Sequence, residues 1–543
     1  MRSPFQLTAI RDLPPSANVD ALTIHDVFGD PRVVECWEFN FLHDLDFLMS
    51  AFHVDARQRG IAVHVVHGFW KREDPRRINL EAAARQYAKG SSQGTDNSSI
   101  TLHTAYMPEI FGTHHAKMAV LFRNDATAQV VIHTANLIPH DWRNMTQAVW
   151  RSLLLPLILD RENEAERSLA EDGANRIGWQ FKHDFLSYLR SYNHQRSVCQ
   201  PLVDKVQQYD FSAVRGVLIG SVPGRHHVPS PNEKPKSDNG QRYNTTHWGW
   251  LAMQRALQNV PLRSGTKKAS QTGSTQAEIV IQVSSIATLG STDSWLQNTM
   301  FSALTGDTFS SLSEATEAAA KQKASSFGPL QLQRQQLPRP QFRIMFPTAD
   351  EIRRSLDGYT SGSSIHARIQ SPQQQKQLAY MLPLLCHWAN DAEDGAALPA
   401  VSSSSVGDAK RRRAAPHVKT YVRYSNSDDT CYIDWALLTS ANLSKQAWGE
   451  ARSAGGEMRI ASYELGVLVW PELLTGVKGA TMQPVFGRDD LQDPGIATSV
   501  VNVPLRIPYS LPVQRYGPGE IPWVSSLPHS EPDWRGMIAP AES

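Results

Sequence analysis

Cysteine is nearly absent from this chain: Cys36, Cys199, Cys386 and Cys431 are the only four in 543 residues. None forms a CxxC pair, which argues against a disulfide framework and a cysteine zinc site and for a reducing compartment. Long apolar runs are missing too. The best, LLLPLIL from Leu153, is short, broken by Pro156, and cannot span a bilayer. The opening MRSPFQLTAIRDLPPS holds no signal-peptide core. It enters folded-looking sequence almost at once, so any longer leader is expected to lie outside this chain. Nor is there an excess of charge: Lys and Arg number 54 against 53 Asp and Glu, a net charge of +1. A nucleic-acid partner would need positive charge gathered locally, in a groove or a loop.

What is present is a globular composition, 41% hydrophobic and 20% charged, in a chain too long for one ordinary core. Two domains are expected, residues 1–200 and 201–543, with the break near Cys199. Four polar stretches read as surface loops: Ala88 to Ser99, Gly224 to Thr246, Pro261 to Gln276 and Asn390 to Pro416. The last ends in the basic run Lys410–Arg413, readable as an import patch, a DNA contact or a solvated charge run. Between them lie nearly continuous apolar runs, as in strands buried on both faces. These are IAVHVVHGF from Ile61, AQVVIHTANLI from Ala128, EIVIQVSSI from Glu278, FRIMFP from Phe342, WALLTSANL from Trp435 and ELGVLVWP from Glu464. DWRNMTQAVW and GWQFKHDFLSYLRSYN read as helices. The class is α/β, with mixed central sheets covered by helices on both sides.

The chain then repeats itself. His115-Ala116-Lys117 is followed by a strand-like run carrying Asn136 and then by Trp142. His417-Val418-Lys419 is followed by a second such run carrying Asn442 and then by Trp448. Each Asn sits in ANL, and each Trp comes six positions later. The Lys-to-Asn spacing is 19 in one copy and 23 in the other, a difference one surface loop absorbs. A lone His-x-Lys says little, because a histidine on a buried strand is usually a satisfied core residue. A matched pair implies two copies of one α/β unit.

On a strand, His and Lys two positions apart share a face. Two copies facing each other bring two His, two Lys and two Asn into one cleft. Two ammonium groups and two amides suit the nonbridging oxygens of a phosphodiester. One neutral imidazole can attack phosphorus in line, while the other, protonated, gives a proton to the leaving oxygen. A zinc site is disfavoured: no HExxH-type spacing appears, and a lysine beside each His repels a cation. No metal or organic cofactor is expected.

At these residues the chain resembles the phospholipase D superfamily, and within it the tyrosyl-DNA phosphodiesterase branch. The superfamily motif continues His-x-Lys with four residues and an Asp; Phe122 and Tyr424 stand there instead, as in that branch. The likeness rests on FGTHHAKM, VVIHTANLIPHDW, PHVKTY, TSANLSKQAWG and SYELGVL, and beyond the motifs on SSIATLGS and SLDGYTSG. It covers most of the chain, from Pro4 to Trp534.

The resemblance implies two pseudo-twofold related α-β-α sandwich domains with the active site in the cleft between them. It implies His115 as nucleophile, through a covalent phosphohistidine, and His417 as general acid and then base. Lys117, Lys419, Asn136 and Asn442 would hold the phosphate. Gln147 and Glu464 would orient the histidines, with no assignment of either to its partner. Phe111, Ser284 and Ser285 match DNA contacts. Phe41 stands where the branch usually has Tyr near the peptide side, so a hydroxyl contact is lost. The implied substrate is DNA carrying a 3′ tyrosyl-peptide adduct from topoisomerase I, or another 3′ adduct, processed to a 3′-phosphate by a monomer in the nucleus. The rivals are a general nuclease or lipid phosphodiesterase of the superfamily, and a DNA-binding scaffold without catalysis.

Overall fold

The computed structural model describes residues 1–90, 97–159, 174–230, 246–263, 276–307, 337–390, 407–427, 430–491 and 500–539. Within them, the strands before residue 160 are β1 (Gln6–Leu7), β2 (Val33–Phe39), β3 (Ala62–His67), β4 (Ser99–Thr104), β5 (Met118–Arg123), β6 (Thr127–His133), β7 (Ala148–Arg151) and β8 (Leu155–Pro156). Those after it are β9 (Val217–Ser221), β10 (Gly224–His227), β11 (Glu278–Gln282), β12 (Gln341–Met345), β13 (Leu385–Cys386), β14 (Thr420–Ser427), β15 (Thr430–Thr439), β16 (Glu457–Ile460), β17 (Glu464–Val469), β18 (Thr481–Val485) and β19 (Asn502–Arg506).

Two mixed sheets carry the fold. The first runs β1-β7-β6-β5-β2-β3-β4, with β8 added beside β6; the second runs β9-β17-β15-β14-β11-β12-β13. Position by position the two paths match. β2-β3-β4 and β11-β12-β13 are parallel, and the other neighbours on both paths are antiparallel. The duplication seen at a few motif residues therefore extends to whole sheets. The central strands are buried along their length, as their unbroken apolar runs require.

This order fixes where chemistry can sit. β5 runs antiparallel to β2, so its N-terminal end lies beside the C-terminal ends of β2, β3 and β4. β14 stands in the same relation to β11, β12 and β13. The His-x-Lys triplets immediately precede β5 and β14, and so emerge at these ends. Helix Ala174–Ser191 packs on both halves. Its apolar positions recur at helical spacing: Phe181 lies 5.4 Å from Trp150 of β7, and Tyr188 lies 6.0 Å from Trp248. Just past its end, Tyr192 stacks on Tyr463 at 4.2 Å. Among the described residues no helix is long and apolar enough to cross a membrane.

Several expectations are corrected. DWRNMTQAVW is not one helix: Pro139–Arg143 is helical, and Ala148–Arg151 is β7, drawn into the sheet by pairing with β6 and β1. Gly224–His227 is not loop but strand, pairing with β16 more than 200 residues away, which no local pattern announces. Helix Pro75–Gly90 covers the start of the first polar stretch. The basic run is not a solvated patch: Arg411 is buried and donates to the Thr8 carbonyl at 2.8 Å. Residues 91–96, 231–245, 264–275 and 391–406 of the polar stretches lie outside the described residues.

Candidate active site

The two halves exchange their supports. The segment before the first triplet pairs with the one leading into Glu464: His115 N–H donates to the Tyr463 carbonyl, and Tyr463 N–H to Thr113, both at 3.0 Å. The segment before the second triplet pairs with the one leading into Gln147: His417 and Val418 both donate to the Thr146 carbonyl, at 3.1 and 2.8 Å. Each triplet is thus pinned across the cleft at its histidine and to its own sheet at its lysine, whose carbonyl accepts from the His133 N–H in one copy and the Thr439 N–H in the other, at 3.0 and 3.1 Å. His115–Lys117 and His417–Lys419 lie just ahead of β5 and β14 instead of within them. Gly112 makes the first crossing possible, since a Cβ there would sit 2.0 Å from the Ala461 oxygen.

Each imidazole meets its orienting residue from the opposite half. His115 Nδ1 lies 3.0 Å from Glu464 Oε2, and Ser440 Oγ donates to the same oxygen at 2.5 Å. The His115 side chain keeps 15% exposure while Glu464 behind it keeps 5%. Burial alone would raise the Glu464 carboxyl, but His115, Lys117 and the Ser440 hydroxyl hold it below its usual range. An ionised Glu464 takes Nδ1–H, so the lone pair of His115 rests on Nε2. Burial also lowers His115, which favours the neutral, nucleophilic ring.

His417 is held differently. Its Nδ1 lies 3.0 Å from Gln147 Nε2 and 3.2 Å from Asp141 Oδ2. Thr134 Oγ1 donates to Gln147 Oε1 at 2.7 Å, which turns the Gln147 amide N–H₂ toward His417 and Asp141. A neutral His417 accepts from Gln147; a protonated one donates to Asp141. Burial, Lys419, Lys117, His115 and His366 together depress His417 well below the ordinary histidine range.

The lysines and asparagines complete the site. Burial lowers Lys117 to about 8, and burial together with the Lys117 charge holds Lys419 well below the usual lysine range. Each Nζ folds back onto the carbonyl of its own His. The Oδ1 of Asn442 accepts from the backbone N–H of Ser284 and Ser285, at 3.1 and 2.9 Å, which leaves Nδ2 for a ligand. Asn136 donates its backbone N–H to Asp141 at 2.6 Å. A cleft with this many crowded cations and depressed pKa values favours an anion.

The family model described as tyrosyl-DNA phosphodiesterase matches residues 4–517. The chain belongs to that family. A probable tyrosyl-DNA phosphodiesterase of Schizosaccharomyces pombe is 28% identical, covering 99% of this chain and 96% of that one. Tyrosyl-DNA phosphodiesterase 1 of Arabidopsis thaliana is 27% identical, over 99% of this chain and 76% of its own. The crystal structure of the yeast tyrosyl-DNA phosphodiesterase superposes with a TM-score of 0.60 at 19% identity, covering 96% of this chain and 98% of that one, which establishes the shared fold.

Around the two sets of His, Lys and Asn, the other expected contacts fall as follows. Phe111 stands out from the surface at 87% exposure with a φ of +65°, a left-handed conformation costly for a side chain of this size. The Phe41 ring lies 5.7 Å from that of His115. Asn442 Oδ1 engages the N–H groups of Ser284 and Ser285 and the Ser284 hydroxyl as well, so any phosphate contact here falls to the Ser285 hydroxyl. His114, beside the nucleophile candidate, is a satisfied core residue: Nδ1 meets the Asn40 carbonyl at 2.9 Å and Nε2 the Tyr192 hydroxyl at 3.0 Å.

Three residues escaped the sequence reading. Thr134 and Ser440 each precede the ANL asparagine by two positions, and each hydroxyl fixes the residue that orients a histidine. The repeat held that signal. Asp141 has no match, because Ala447 occupies its place in the second copy. Removing the Ser440 hydroxyl takes a hydrogen bond from a buried carboxylate, worth about 1.5–3 kcal/mol. Ser440→Ala is therefore expected to lower single-turnover cleavage at least about tenfold, with nucleotide affinity unchanged; equal rates would remove Ser440 from this role.

Proposed function

We propose that this chain hydrolyses the bond between a DNA 3′ phosphate and a tyrosine side chain, in two steps through a phosphohistidine. The observation that carries this reading is the reciprocal support of the two imidazoles. One is held for attack by a carboxylate, and the other is held for proton transfer by an amide and a carboxylate. In the first step His115 Nε2 attacks phosphorus, the bond to the tyrosine oxygen breaks, and His417 gives that oxygen its proton. In the second, His417 takes a proton from water, the water oxygen attacks phosphorus, and the P–N bond breaks. The products are a 3′-phosphate and the free tyrosyl peptide.

His417 must carry a proton in the first step, although burial and the neighbouring cations depress it. The arriving phosphodiester supplies the negative charge that opposes the surrounding cations and restores that proton. Lys117, Lys419, Asn136 and Asn442 hold the nonbridging oxygens, where charge is spread in the transition state. The relatives' names support a tyrosyl-DNA substrate, of the kind a stalled topoisomerase I leaves. Other 3′ adducts fit, because the leaving group need only be an oxygen able to take a proton. The chain acts as a monomer, in the nucleus.

A 3′-phosphotyrosyl oligonucleotide is the test. Tyrosine release is expected to continue at an unchanged rate in EDTA, since the lysines supply the charge that a metal nuclease draws from its ion. Binding without release would leave a phosphate cradle and no enzyme; loss of release in EDTA would leave a metal-dependent nuclease.

A further inference from the structure

We propose that the turn after β3 together with the first residues of helix Pro75–Gly90, from Phe69 to Arg77, is a second contact for the substrate's nucleic-acid strand, holding nucleotides beyond the scissile phosphate. This rests on the phosphodiesterase reading above. The turn leaves the sheet at the end where the first His-x-Lys triplet emerges. Its root is fixed there: a Cβ on Gly68 would lie 2.3 Å from the His114 Cβ, next to the nucleophile candidate. Trp70 N–H donates to the Gly68 carbonyl at 2.9 Å, which keeps Trp70 within one turn of that root.

The surface of the turn is unusual for this chain. Trp70 is 56% exposed, and among the described residues the exposed large aromatics are Trp70, Phe111 and Trp534. Two of these three therefore project from the same end of the first sheet. The Lys71 ammonium lies 5.5 Å from the Trp70 ring, and the Arg76 guanidinium 4.7 Å from the Phe69 ring. Lys71, Arg72 and Arg76 are exposed. Within this segment Lys71, Arg72, Arg76 and Arg77 stand against Glu73 and Asp74, but Arg77 is paired with Glu81, Nε to Oε1 at 2.7 Å, so the surplus positive charge rests on Lys71 and Arg72. Asp74 is engaged by Arg76, with Oδ2 at 2.8 Å from Nη2.

In a chain of net charge +1, an aromatic platform flanked by exposed cations is the local positive charge that a polyanion requires. A strand alternates bases with phosphates, and a ring beside ammonium and guanidinium groups meets both. A tyrosyl peptide brings one aromatic ring and no fixed run of negative charge. The charge therefore favours the DNA side of the scissile bond as occupant.

The test compares kcat/KM for two 3′-phosphotyrosyl substrates, a single nucleotide and a long single-stranded oligonucleotide. Trp70→Ala is expected to reduce the preference for the long substrate about tenfold, the scale of one base–aromatic stack, and Trp70→Phe to retain most of it. Lys71→Ala combined with Arg72→Ala should flatten the salt dependence of that preference. An unchanged preference in Trp70→Ala overturns the proposal. So does a loss that follows the length of peptide on the tyrosine rather than the length of the oligonucleotide. If the native chain cleaves neither substrate, the phosphodiesterase reading fails on its own. The strand contact is then read from the affinity for an oligonucleotide ending in a 3′-phosphate, expected to weaken about tenfold in Trp70→Ala.

Discussion

His115→Ala is expected to slow tyrosine release at least about ten-thousandfold, the scale on which removing a nucleophile acts, and to form no protein–DNA adduct. His417→Asn is expected to behave differently and to accumulate one. The asymmetry follows from the two leaving and attacking oxygens. Tyrosine departs as a phenolate whose conjugate acid titrates near about 10, so the first step survives weakened acid help. The second step needs a proton removed from water, whose pKa is about 15.7, and loses far more. The covalent species should therefore build up on His115, visible as a denaturation-resistant band that His115→Ala removes in the double variant. An adduct on His417 instead would reverse the two roles, and its absence from every variant would remove the covalent step.

The sequence carried most of this site because the site is made of matched pairs. His115 with His417, Lys117 with Lys419 and Asn136 with Asn442 could be found by laying one copy on the other. The sheets could be assigned too, since strands buried on both faces write unbroken apolar runs. What stayed hidden depended on distant partners. The register that makes Gly224–His227 a strand is set by Glu457–Ile460. The burial of Arg411 is set by its bond to Thr8, 403 residues away. The crossing that gives His115 to Glu464, and His417 to Gln147 and Asp141, is a property of how the halves face each other, so sequence left those pairings open. Asp141 was invisible for the opposite reason from the rest: a repeat reveals duplicated residues, and this residue has no duplicate.

That unmatched carboxylate yields the sharpest expectation. Asp141→Asn should lower kcat about a hundredfold, within the range that outer partners of a reacting group command, and should move the alkaline limb of the pH profile to lower pH. In the native chain Oδ2 can receive Nδ1–H from a protonated His417, while accepting the Asn136 N–H. An amide oxygen in the place of Oδ2 still satisfies Asn136 and faces His417, but it carries no net charge to balance the imidazolium and so disfavours the cation. Stability should change the other way. Burial raises Asp141, with the Asn136 N–H, His140, Lys419 and Lys117 only partly opposing it. A carboxyl raised on folding costs stability as pH rises through its unfolded value near about 3.9 and beyond. The substitution removes that cost, so Tm at neutral pH should rise by about 1–2 °C for a chain of this size, with the gain disappearing below about pH 4. A fall in kcat with an unshifted profile and a lower Tm would make Asp141 a packing residue. A slower and more stable variant would mean that the reciprocal geometry keeps a strained charge in place because His417 needs it to hold a proton.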